Sequence, residues 1–212
     1  MRTITHYLLR WVIQDSAGGI VRLSPSLAGL MCQIPCGLVS FGDHDYAFDL
    51  GLRMGSAIGP DKCDGAAGGL VAALTSRLVE GSCLRDAVSQ EVEARREHLG
   101  DTLTSRIKCL YERTAMKRLP AEIVLSYGND RCEDALMKGL SSALLNEESF
   151  QEGVAAAAAF DGDSTVAAAL TGALLGASLG DRAIPAEMLA NIPNRDEAIR
   201  VTESLWKTFG NS

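Results

Sequence analysis

Pairs of cysteines spaced C-x-x-C are missing from this chain, as are uninterrupted apolar runs of membrane-spanning length and stretches that alternate with period two. Each absence excludes something. The six cysteines (Cys32, Cys36, Cys63, Cys83, Cys109 and Cys132) are scattered. Cys32 and Cys36 would share one helix face, but two thiols with no nearby histidine fall short of a structural zinc site. Free, mostly buried thiols in a reducing compartment are expected. The most apolar stretch, residues 154–179, is interrupted by Asp161 and Asp163, which argues against a bilayer span. Residues 1–13 (MRTITHYLLRWVI) carry Arg10 inside their apolar run and no small-residue cleavage site, so export is not expected and the cytoplasm is the default. Positive charge is in deficit. With 20 Lys and Arg against 27 Asp and Glu, the net charge of −7 argues against nucleic acid as a partner.

Recognisable catalytic arrangements are also lacking. His6, His44 and His98 fall into no order with a serine or cysteine nucleophile. Gly18-Gly19 and Gly65…Gly68-Gly69 lack the strand before and the Lys-[ST] after that a phosphate cradle needs. Gly18-Gly19 reads as a turn. Gly68 and Gly69 sit inside a helical pattern, where glycine costs stability relative to alanine, so they are expected to permit a close helix crossing.

What remains is helical. Apolar content of 47% with 22% charged residues describes a globular chain, and 212 residues suffice for a single domain over residues 1–212. Residues 43–58 place Tyr46, Ala47, Leu50, Met54 and Ala57 at helical spacing, and 65–79 repeat the pattern before stopping at Gly81, a natural position just past a helix end. Residues 84–98 are rich in charge and read as an exposed helix with His98 at its close; 103–117 is amphipathic. Further helices are expected at 120–126, 133–145, 150–159, 165–179 and 195–209, the last opened by Asn194 paired with Glu197. Trp11 and Trp206 read as core or lid residues, with Trp206 able to touch a partner. The fold class is all-α, a compact helix bundle.

Residues 160–177, FDGDSTVAAALTGALLGA, carry the chemistry. Asp161, Asp163 and Ser164 put three hard oxygen ligands on one turn, the donor type that holds Mg²⁺ or Ca²⁺. Asp163 or Ser164 also suits the plain role of N-cap. The helix beyond is built from small residues, with Gly172 and Gly176 in a G-x-x-x-G spacing that suits close packing. It is expected to be the most buried element, overpacked by a change such as Gly172→Leu.

These pieces, in order over residues 119–209, resemble the ADP-ribosylglycohydrolase family: ALMKGLSSALL at 135–145, a phenylalanine-led helix at 150–159, the D-x-D-[ST] turn, the small-residue helix, Gly180, Ala183-Ile184-Pro185, and a last helix from Arg195. The resemblance implies an all-α ADP-ribosylhydrolase fold in which Asp161, Asp163 and Ser164 supply half of a two-magnesium site. Upstream the likeness thins. The Thr-Asp-Asp-type turn that gives the family its other metal ligands has no counterpart, so the amino-terminal metal-binding helices are expected to be missing. In the run that the family writes Asn-Gly-x-x-Met-Arg-x-x-Pro, Met31 and Pro35 match, whereas Leu27 and Cys32 replace the polar residues. The family's Thr-His is lost from 56–64 (SAIGPDKCD). Asp43-His44-Asp45 and the pair Asp61 and Asp64 are the nearby acidic alternatives, each read as a solvated helix start.

Half a clamp binds Mg²⁺ weakly and cannot hold both attacking and leaving oxygens. The expectation is therefore a catalytically degenerate binding protein with no catalytic residues, no required cofactor and a vestigial metal half-site at Asp161, Asp163 and Ser164. By the resemblance, its partner is an ADP-ribosyltransferase toxin that it neutralises by occlusion, as an immunity protein, with neither nucleic acid nor membrane involved. The alternative is a Mg²⁺-dependent ADP-ribosylhydrolase using the same three residues. A bare ADP-ribose-binding scaffold is a third reading.

Overall fold

Ten α-helices and one 3₁₀ turn, with no strand, make up the described part of the computed structural model, which covers residues 29–58, 62–117, 127–128, 131–161, 164–190, 192 and 194–209. In chain order the helices are α1 (Ile34–Leu38), α2 (His44–Ile58), α3 (Lys62–Val79), α4 (Leu84–Ala94), α5 (Arg96–Ala115), α6 (Cys132–Leu145), α7 (Phe150–Ala158), α8 (Ser164–Leu179), α9 (Ala186–Ala190) and α10 (Arg195–Phe209), with the 3₁₀ turn Asp181–Ala183 after α8. No helix among the described residues is long and apolar enough to cross a membrane. The helix expected at 120–126 lies outside the described residues, as do Gly18-Gly19, His6 and Trp11.

Local chemistry sets the helix ends. Asp43 accepts the Tyr46 N–H at 2.9 Å and so caps α2. Ser149 does the same for α7, taking the Glu152 N–H at 3.3 Å. α3 stops where the sequence indicates. Gly81 takes φ 101, its N–H bonds to Leu78 O, and the Ser82 N–H bonds to Arg77 O, the paired closure of a Schellman motif. Asn194 departs from the expected capping pair: it adopts φ 57, and Glu197 pairs with Arg200 instead.

Two helices form the centre. α3 packs against α1, α2, α4, α5, α6 and α8, while α6 packs against α3, α5, α7 and α8. Every residue of α6 from Cys132 to Leu144 is buried. This corrects the expectation that the small-residue helix is the most buried element: α8 buries only Val166, Ala167, Leu170, Thr171, Leu174 and Leu175. Its small residues make it thin; α7, α6 and α3 pack against it, and the remaining surface is partly open. The close crossing expected at Gly68 and Gly69 is present between α2 and α3, where a Cβ on Gly69 would stand 2.9 Å from the Phe48 carbonyl oxygen.

The charged segment 84–98 also differs from expectation. It is not one exposed helix; it breaks at Arg95 (φ −106, ψ 14), and helical backbone resumes at Arg96 with a further interruption at Gly100 (φ 71). α4 buries Leu84, Ala87, Val88, Glu91 and Val92. Glu91 is fully buried because two arginines meet it: Arg77 donates from Nε at 2.8 Å and Arg95 from Nε at 3.2 Å. Arg95 also pairs with Asp45 and lies over the Phe48 ring, 4.9 Å from its centroid. His98, expected to close the charged helix, instead stands near the start of α5, edge-on to Phe48.

Candidate functional site

The carboxylate turn lies between α7 and α8. α7 ends at Ala158, the Phe160 N–H bonds to Ala157 O, and α8 begins at Ser164. The Asp161 carboxylate is exposed and Ser164 is partly buried in the first turn of α8. Asp163 lies outside the described residues. Phe160 packs on the core, its ring 6.4 Å from that of Tyr127.

Beneath the turn runs α6, which brings one further group that motif reading passes over. Lys138, with only 3% of its surface exposed, donates from Nζ to the Asp161 carbonyl oxygen at 3.0 Å. The same ammonium stands 5.9 Å from the centroid of the Phe160 ring. The signal was in the sequence: ALMKGLSSALL contains a single charge in an otherwise small and apolar run.

One helical turn back on α6, Glu133 and Asp134 meet Arg106 of α5, at 3.3 and 2.9 Å. Burial pushes the Tyr127 phenol up to about 12. Among the described residues, the ion pairs beneath the turn are those of Arg106 with Glu133 and Asp134.

The other acidic candidates do not join it. Asp43 is occupied as the cap of α2, and Asp45 is held by Arg95, whose hydrogen bond keeps that carboxyl below the usual carboxylate range. Asp61 and the side chain of Asp64 lie outside the described residues. Among the described residues, no three His, Cys, Asp or Glu side chains converge as metal ligands.

Magnesium, which the resemblance implies, is poorly served by the described donor set. The turn offers an exposed Asp161 carboxylate and the Ser164 hydroxyl, and an ammonium is already bonded to its backbone.

Cys32 and Cys36 do fall one turn apart, with Cys36 Sγ 3.9 Å from Cys32 O, and both are buried. Cys132 is also buried, while Cys83 and Cys109 are exposed thiols; Cys63 is outside the described side chains. Trp206 of α10 is about half exposed and meets Phe41 edge-on, with ring centroids 5.1 Å apart.

A model of the family described as ADP-ribosylglycohydrolase matches residues 2–212. The match therefore reaches well upstream of residue 119, where the sequence motifs thin out. Neither a curated protein nor a solved structure matches the chain.

Proposed function

Because the chain belongs to the ADP-ribosylglycohydrolase family, we propose that it keeps the family's fold as a binding surface without its hydrolytic chemistry, and that it neutralises a cognate ADP-ribosyltransferase by direct binding and occlusion. The observation that supports this is the employment of Asp43 and Asp45. Among the described residues, the two carboxylates that could complete a second half-site are committed to structure, one as a helix cap and one to Arg95. A two-metal hydrolase needs acidic ligands on both sides of the scissile bond. The choice of a transferase as partner rests on the chemistry of the family: a fold shaped around ADP-ribosylated protein is preadapted to the enzyme that makes it.

Two assays on the purified chain test the reading. It is expected to bind a cognate ADP-ribosyltransferase, to do so in EDTA, and to retain binding as Asp161→Ala. It is expected to release no ADP-ribose from a modified protein when magnesium is added. Metal-dependent release that disappears in Asp163→Ala overturns the proposal in favour of a Mg²⁺-dependent ADP-ribosylhydrolase acting through Asp161, Asp163 and Ser164. Failure to bind any transferase overturns the partner.

A further inference from the structure

Among the described residues, six large apolar side chains stand exposed, and four of them (Ile192, Ile199, Val201 and Trp206) lie in α10 or just before it. Exposed apolar groups concentrated in this way mark an interaction surface. α10 rests on α1, with Trp206 edge-on to Phe41, yet none of its residues is buried. A helix of 15 residues is marginal in water by itself and gains its stability by covering an amphipathic face. Beside the exposed Ile199 and Trp206 runs a stripe of four exposed charges: Asp196, Arg200, Glu203 and Lys207. Their spacing of i, i+4, i+7 and i+11 sets them on one side of the helix. Read along the chain the stripe is minus, plus, minus, plus; read backwards it is the exact opposite. Such a pattern complements itself when two copies run antiparallel.

We propose that α10 is a homodimerisation helix, pairing antiparallel with α10 of a second copy about a two-fold axis between Val201 and Thr202. In that register Asp196 stands opposite Lys207 of the second copy and Arg200 opposite its Glu203, each contact occurring twice. Ile199 and Trp206 of one chain then fall within a helical turn of the Ser204 and Val201 positions of the other, so the apolar strips face each other. A parallel pair would instead set the stripe against the opposite flank, where Glu197 would meet acidic neighbours, so flank charge selects the antiparallel arrangement. Arg200 also pairs with Glu197 on its own helix, an exposed contact that is cheap to exchange. A helix of this length is about 22 Å long, so the pair falls in the small, weak class of interfaces and is expected to associate in the micromolar range. The inference stands whether or not the chain hydrolyses ADP-ribose.

The test is sedimentation equilibrium of the full chain from about 1 to about 200 μM, a range that brackets a micromolar dimer. A reducing agent is present, because Cys83 and Cys109 are exposed and free to cross-link. Wild type is expected to show a reversible monomer–dimer equilibrium. Asp196→Lys and Lys207→Glu each turn both end contacts into repulsions and are expected to weaken the dimer by roughly tenfold or more. Mixing the two variants sets opposite charges together again, so the mixture is expected to associate as wild type does while neither variant alone matches it. Ile199→Asp, at an exposed position that leaves the fold intact, is expected to abolish association with no large change in melting temperature. A wild type that stays monomeric across the range overturns the proposal and leaves the face to another protein or to a different part of this chain. A dimer indifferent to Ile199→Asp overturns it too, since association would then use another surface. Loss of the dimer in both charge variants without rescue on mixing overturns the antiparallel register.

Discussion

Gly51 of α2 and Gly68 of α3 meet backbone to backbone: a Cβ on Gly51 would stand 2.7 Å from the Gly68 carbonyl oxygen. The same added atom would lie 2.8 Å from Ala72 Cβ and 2.9 Å from Gly69 Cα. None of these is the free end of a flexible side chain, so the helices themselves must separate. Gly51→Ala is expected to cost about 1–3 kcal/mol, despite alanine's better helix propensity, because the overpacking falls on a rigid contact. Urea denaturation reads this directly, and a variant as stable as wild type would show that the crossing is looser than described.

Gly172 of α8 is the counter-case. A Cβ there would sit 3.5 Å from Val154 Cγ2 and 3.6 Å from Phe150 Cζ, ordinary contact distances on a partly buried face. The G-x-x-x-G spacing suggests a tight crossing that the structure does not contain, since α7 approaches α8 closely at Gly153 rather than at Gly172. Gly172→Ala is therefore expected to stabilise the chain by about 0.5–1 kcal/mol through helix propensity alone. A fall in melting temperature would contradict it.

Glu91 offers a sharper test of what a buried charge contributes. Its two oxygens are shared between Arg77 and Arg95, and the latter passes the linkage on to Asp45 and Phe48. One carboxylate thus ties α2, α3 and α4 together at the break before α5. Glu91→Ala leaves two largely buried guanidiniums without their central partner and is expected to cost about 3–5 kcal/mol. Glu91→Leu restores the volume but not the charge, so it is expected to recover little. If Glu91→Leu matched wild type, the network would be replaceable by packing alone.

That network also marks the limit of what the sequence discloses. The apolar stripe of α2, the Gly81 stop of α3, the Gly68-Gly69 crossing and the positions of α6, α7 and α8 follow from spacing and end signals within each segment. Glu91 does not follow, because a glutamate in a run of charges reads as solvated; only Arg77, fourteen residues earlier, makes its burial tolerable. Lys138 is the same case at the candidate site. The D-x-D-[ST] turn is visible as a string of letters, but the ammonium that reaches it comes from another helix, and its burial depends on how α5, α7 and α8 enclose α6.

The buried thiols of the segment before α2 set the alkaline limit of the fold. Burial, with a smaller contribution from Cys32, pushes the Cys36 thiol up to about 11 from an ordinary 9.0. Between those values the native chain holds a proton that the unfolded chain has released, so stability is intact below pH about 9 and declines as pH rises toward 11. A gap of that size is worth roughly 2–3 kcal/mol. Tyr127, raised to about 12 by burial, extends the decline from pH about 10 upward. Cys36→Ala deletes the first part of this slope, so its urea midpoint is expected to change less between pH 8 and pH 10 than that of wild type. The thiols themselves give an independent reading. Cys83 and Cys109 are exposed and should react with a disulfide reagent in the native state, whereas Cys32, Cys36 and Cys132 should react only on unfolding. Rapid native-state labelling of Cys36 would mean that the segment opens without global unfolding, and the alkaline slope would then belong to that local opening instead of to the whole fold.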